Sequence, residues 1–167
     1  MSDHPPPAWI ARNATVVGDV TIGAESSIWY GAVVRADSAL IQIGNRTNVQ
    51  DNCVLHADPG FPLTIGNNTT VGHAAICHGA AIGDRVLVGM GAVVMNGATI
   101  GDESLIAAGA VVLEGTVIPP RSLVAGVPAK VVRPVSDAEA ASLVENAQNY
   151  AALAQRHQLN EFAPINW

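Results

Sequence analysis

An all-β solenoid built from very short strands is the fold this sequence predicts, on three observations. From residue 82 an aliphatic side chain recurs every six positions without a failure, at Ile82, Val88, Val94, Ile100, Ile106, Val112, Ile118 and Val124. Four residues after the first seven of these come Val86, Ala92, Ala98, Ser104, Ala110, Thr116 and Ser122, mostly small, while Gly, Asn and Asp crowd the positions between. Third, 49% of the 167 residues are hydrophobic but only 4% are aromatic. A core so composed has to be laid in thin aliphatic layers. A strict period of six fits neither the 3.6 of an amphipathic helix nor the 2 of a half-buried strand. It does fit a chain that turns a corner at every hexad, with one aliphatic side chain pointing inward per side and a small residue at each corner.

The same pattern opens the chain at Ile10, Val16, Ile22, Ile28 and Val34, resumes through Ile43, Val49 and Leu55, and resumes again through Ile65, Val71 and Cys77. Three changes of frame separate the blocks: three extra residues near 38–42, four extra near 58–62 and one missing near 79–81. Hexapeptide repeats of this kind resemble those of the left-handed parallel β-helix proteins, in which three hexads, about 18 residues, close one triangular coil. The hand and the triangular section are implied by that resemblance. About six coils at ~4.8 Å each make a prism roughly 30 Å long. Beyond Pro134 the period disappears. Ser136-Asp137-Ala138-Glu139 has the form of a capping box, and Leu143, Val144, Ala147, Tyr150, Ala151 and Ala154 follow at helical spacing. The expected organisation is one domain, with the β-helix over residues 1–134 and a C-terminal α-helix and tail over residues 135–167 packing on it.

Charge and cysteine usage exclude several functions. A net charge of -6 and a single lysine, Lys130, leave no basic footprint for nucleic acid and no polybasic patch for a membrane. The longest stretch without charged residues, 59–83, is rich in Asn, Thr, Gly and His, which argues against a transmembrane helix. Residues 1–7 carry an acid and three prolines where a signal peptide needs a basic region and an apolar run, so the expected location is cytoplasmic. Cys53 and Cys77 are too few for a disulfide framework and sit where the pattern wants small buried residues, so both are expected to be core thiols.

Of five histidines, His4 and His157 are expected to face solvent. His56 follows Leu55 by one and His78 follows Cys77 by one, so the two share a slot of the hexad. They are 22 residues apart, and removing the four-residue insertion leaves one coil, which stacks the imidazoles about 5 Å apart, a suitable separation for two ligands of one ion. Arg35, after Val34, falls in the same column. His73 lies five residues before His78, up to about 16 Å away along an extended chain. One subunit cannot readily bring all three together, but prisms standing side by side can. The competing reading leaves each histidine singly on a polar face.

The segments Val33-Val34-Arg35-Ala36-Asp37, Asn48-Val49-Gln50-Asp51-Asn52, Leu55-His56, Val71-Gly72-His73 and Cys77-His78-Gly79 resemble the signature of the γ-class carbonic anhydrases, over most of residues 10–156. The resemblance implies a homotrimer whose metal is bound by His56 and His78 of one subunit and His73 of the next. It implies Zn2+ as the ion, with Fe2+ or Co2+ as alternatives, and an interface ion pair from Arg35 and Asp37. Gln50, with Asn48 beside it, would hydrogen-bond solvent on the metal. Tyr150, with Asn146 or Asn149, would correspond to residues of the family's terminal helix. The implied reaction is reversible hydration of CO2 to bicarbonate by a metal-bound hydroxide. The family's founding type passes the proton to glutamates, one directly after the Arg-x-Asp and others in a long acidic loop. Here Ser38 follows Asp37, and the loop has shrunk to residues 57–64 with Asp58 as its only acid, which makes Asp58 the candidate proton acceptor and predicts weak activity. Two other readings compete. One is a metalloprotein of the same fold with another hydrolytic role, such as a thioesterase. The other is a hexapeptide acyltransferase, to which Gly126-Val127-Pro128-Ala129-Lys130 points.

Overall fold

Because each side of a coil is a single hexad, most strands are only two or three residues long. The computed structural model describes residues 6–162 and arranges these strands on three faces of a parallel solenoid of about six turns. The first face stacks Trp9–Ile10, Ser27–Ile28, Asn48–Val49, Thr70–Val71, Leu87–Val88, Leu105–Ile106 and Ser122–Gly126. The second takes the beginnings of the long strands Thr15–Ile22 and Val33–Ile43, then Val54–His56, Ile76–His78, Val93–Val94 and Val111–Val112. The third takes the ends of the same two long strands, then Leu63–Ile65, Ala81–Ile82, Thr99–Ile100 and Val117–Ile118. The solenoid expected from the period is therefore present.

The register places like on like. On the second face Val34, Leu55, Cys77, Val94 and Val112 pair in succession and all point inward, fully buried. Each such aliphatic side chain contributes roughly 1.5–3 kcal/mol by leaving water, set against the backbone entropy of ordering its hexad. Both thiols are fully buried, as expected, and burial pushes Cys53 up to about 12 and raises Cys77 as well. Strands this short leave many backbone groups at the corners to be satisfied by side chains. Between the third and first faces a column of hydroxyls does so. Ser26 donates to the Gly44 carbonyl at 2.6 Å, Thr47 to Gly66 at 2.7 Å and Thr69 to Gly83 at 2.9 Å, and each hydroxyl also accepts an N–H from the coil above. That is the physical reason for the Ser and Thr at this corner, and the Gly is there because a Cβ would strike the backbone of the next coil.

All three changes of frame fall at one corner, between the second and third faces. The first is a bend within the strand Val33–Ile43, the second a turn closed by a bridge between Asp58 and Phe61, and the third a tightening at Gly79, whose φ is +54°. The parallel stack ends where Ser122–Gly126 pairs antiparallel with Ala129–Pro134. The segment 126–130, which had pointed to acyl transfer, is the turn of this hairpin.

The capping box predicted at Ser136 is present and starts the helix Asp137–Gln158, with both oxygens of Glu139 also held by Arg133 at 2.7 and 2.8 Å. Leu143, Ala147, Ala151 and Ala154 are buried as the helix runs back along the first face. Its length carries His157 to the first coil, which corrects one expectation. His157 does not project freely but is half-buried: its Nδ1 lies 2.8 Å from the Tyr30 hydroxyl and its ring packs edge-on to Trp29. His4 lies outside the described residues. Among those described, no helix is long and apolar enough to cross a membrane.

Candidate metal centre

The outward side of the second face carries the column that the spacing predicts. Val17 pairs with Arg35, Arg35 with His56 and His56 with His78. The two imidazole centroids are 4.9 Å apart, one inter-strand spacing. Arg35 and Asp37 stand two apart on one strand and bond each other within the chain at 2.5 Å. The Arg35 guanidinium, and after it the His56 imidazole, hold the Asp37 carboxyl down to about 2, so it is an anion at neutral pH.

The partners of each ring settle where its proton sits. His56 Nε2 lies 3.0 Å from Asp37 Oδ1, an acceptor, so Nε2 carries the hydrogen and Nδ1 keeps its lone pair. Asn96 donates its Nδ2 to Asp58 Oδ2 at 3.1 Å, which turns its Oδ1 toward His78 Nδ1 at 2.7 Å. His78 therefore carries its hydrogen on Nδ1 and keeps a lone pair on Nε2. The two remaining lone pairs, His56 Nδ1 and His78 Nε2, face each other at 2.9 Å. Two acceptors so placed repel unless a cation lies between them, and a divalent ion fits that requirement. Among the described residues, His56, Asp58 and His78 bring one ligand atom each within 4.8 Å of one another.

His73 stands at the opposite edge of the second face, after the first-face strand Thr70–Val71, and does not join that group. Its Nδ1 donates to Asp51 at 2.8 Å, which leaves Nε2 with its lone pair, 3.5 Å from the Tyr150 hydroxyl. Beside it a cavity of about 330 Å³ is lined by Gln50, Thr70, His73, Leu105, Asn146 and Tyr150, among others. Gln50 accepts the His73 backbone N–H at 3.1 Å and donates to Asn48 at 3.1 Å, Asn48 donates to Thr70 at 2.9 Å, and Thr70 donates to Asn146 at 3.0 Å. Of the two asparagines offered by the helix, Asn146 is thus the one that reaches the site, while Asn149 is exposed. Burial, then the nearby charge of Asp51, raises the Tyr150 phenol above its ordinary value.

Two of the residues that orient the histidines were not picked out from sequence. Asp51 had a usable signal. Val49 pairs with Val71, so Asp51 and His73, each two residues further on, share a slot by the rule that joins His56 to His78. Asn96 had none. The missing residue near 79–81 makes Cys77 pair with Val94, so Met95 takes the slot above His78, and Asn96 reaches the ring from one position beyond.

The fold places the chain among the hexapeptide-repeat solenoid proteins, and residues 79–114 match the family described as bacterial transferase hexapeptide (six repeats). A relative named "Probable carbonic anhydrase", from Methanocaldococcus jannaschii, is 54% identical over 146 residues, 87% of this chain and 92% of that protein. Gamma carbonic anhydrase 1, mitochondrial, of Arabidopsis thaliana is 39% identical over 165 residues, 95% of this chain and 60% of that longer protein. Among solved structures, a hexapeptide transferase family protein from Anaplasma phagocytophilum superposes with a TM-score of 0.86 at 41% identity, over 89% of this chain and 87% of its own. The chain belongs to the γ-class carbonic anhydrase family, whose members are lyases.

Proposed function

We propose that the protein is a zinc-dependent carbonic anhydrase whose sites lie between the subunits of a homotrimer, with His56 and His78 from one subunit and His73 from its neighbour. One observation carries this reading: each of the three imidazoles has one nitrogen tied to a fixed acceptor, Asp37, Asn96 or Asp51, and a lone pair on the other. Paired acceptors of this kind are the usual outer support of histidine ligands. When bound, the ion supplies a Lewis acid that lowers the pKa of water to about 7 with three neutral imidazoles and an open position. The chain's own residues do the rest. Gln50, anchored through Asn48 and Thr70 to Asn146, presents a fixed amide beside His73, and Leu87, Leu105 and Ile106 give an apolar wall for an apolar substrate. Asp58 is the carboxylate at the His56 and His78 end and the acceptor for the proton that hydration releases, while Arg35 and Asp37 brace the interface.

The match to the transferase hexapeptide family does not compete with this reading. The hexapeptide match covers residues 79–114, beyond all three histidines, and so reports the repeat and not the site. Metal-quantified stopped-flow CO2 hydration tests the proposal. Expected is a hydration rate that falls on chelation, returns with Zn2+ and rises with buffer concentration because the chain offers few proton acceptors of its own. Metal-loaded protein that hydrates no CO2 at any buffer concentration would exclude the assignment.

A further inference from the structure

We propose that Asp58, His56 and His78 form a second, complete three-donor cation site inside one subunit, which captures the divalent ion before a neighbour's His73 displaces the carboxylate. The second half of this statement rests on the interfacial site proposed above; the first half does not.

The distances suit an ion. His56 Nδ1 lies 2.9 Å from His78 Nε2 and 3.8 Å from Asp58 Oδ1. Bonds of about 2.0–2.2 Å in a tetrahedral site set donors roughly 3.4 Å apart, so the first spacing has to open and the second to close by about half an ångström, while the third, between His78 and Asp58, lies within 4.8 Å. A side-chain adjustment suffices. The orientation is already built, because one amide aims both outer donors: Asn96 holds Asp58 by its Nδ2 and His78 by its Oδ1. With Oδ2 engaged by Asn96, Asp58 Oδ1 is left for the ion. The carboxylate is there only because of the extra residues near 58–62, which fold over the corner that carries both histidines, with Phe61 packed above Gly79 and Gly97. Two imidazoles and one carboxylate are a common donor set for divalent metals. In a lone subunit His73 is across the second face, so Asp58 is the third donor within reach.

Assembly then becomes a ligand exchange. The bond from Asp58 Oδ1 to the ion breaks as the lone pair on Nε2 of the neighbour's His73 forms its own. No proton or electron moves, since Asp51 keeps the hydrogen on His73 Nδ1. The freed carboxylate stays bonded to Asn96 at the rim of the site, positioned for the proton-accepting role assigned to it above. One residue thus serves first in loading and then in turnover.

The test is a titration of metal-free protein with Co2+, followed by calorimetry and by the absorption of the bound ion, on wild type, His73→Ala, Asp58→Asn and the double variant, with circular dichroism confirming the fold of each. Expected is one Co2+ per chain in His73→Ala, bound weaker than in wild type and with an altered spectrum. Affinity should fall by a further roughly 100-fold in the double variant, whose two neutral imidazoles lack the anionic donor, while Asp58→Asn alone stays near wild type. Equal affinity in His73→Ala and the double variant, or no binding by His73→Ala, would overturn the proposal. If instead His73→Ala binds like wild type and Asp58→Asn alone loses the metal, the intrasubunit site stands and the interfacial reading is the one that fails.

Discussion

The second and third faces of the solenoid are made by the same repeat and are put to opposite uses. In the slot just after the inward aliphatic, the second face carries Val17, Arg35, His56 and His78, and the third carries Gly23, Gly44, Gly66, Gly83 and Gly101. A Cβ at Gly44 would lie 2.7 Å from the backbone of Gly66, and one at Gly66 would lie 2.6 Å from that of Gly83. At these positions the third face is packed backbone on backbone, with no room for a side chain like those of the histidine column. The outward strand positions differ as sharply. Val33, Val54, Ile76, Val93 and Val111 form a continuous, partly exposed apolar stripe on the second face, whereas the third carries Thr21, Gln42, Thr64 and Thr99, interrupted by Ala81 and ended by Val117. In the proposed trimer a stripe of that kind beside the histidine column would be the surface that another subunit covers, and the helix already covers the first face. The repeat makes the scaffold, and departures from it make the site.

The largest effect should come from charging that stripe. Ile76→Asp is expected to reduce a particle of about three times 17.2 kDa to a monomer by light scattering and to abolish hydration, because an unpaired buried charge costs several kcal/mol. The same substitution at Thr99 on the third face should leave the mass unchanged. Equal outcomes at the two positions would remove the distinction between the faces. Next in size, Gly66→Ala should destabilise the fold by about 1–3 kcal/mol in denaturant unfolding through backbone overpacking, with little change in metal affinity per folded chain.

Much of this difference was legible in the sequence. The period gave the inward columns, and removing four residues from the 22 between His56 and His78 put their rings in one column. The three frame changes were legible as well, but not that all fall at one corner, since that requires knowing which hexads share a face. Asp58 was visible as the only acid of its loop, but its reach to both His56 and Asn96 depends on how the loop closes. The packing of His157 on the first coil was hidden for a different reason. Whether a residue at the end of a helix meets solvent depends on where the helix stops along the solenoid, and no local pattern encodes that.

The smallest effect belongs to the covered first face. Ser136→Ala should cost about 1 kcal/mol of stability through loss of the helix cap, with the trimer and its metal intact. Glu139 in the same cap is held well below the usual carboxylate range, chiefly by Arg133 and then by Ser136. Its contribution is therefore present above its ordinary value of 4.5 and is lost as pH falls below it. The melting-temperature gap between wild type and Glu139→Gln should be open at pH 7 and narrow in acid.

The central claim, that one site draws on two subunits, is tested most directly by mixing two inactive variants. His73→Ala and His78→Ala are each expected to hydrate no CO2, yet after subunit exchange some interfaces join an intact His73 to an intact His56 and His78 pair. Hydration measured by stopped flow after exchange, with exchange itself verified by native mass spectrometry, should recover to a fraction of the wild-type rate. No recovery in verified mixed trimers would place all three ligands within one subunit and contradict the account.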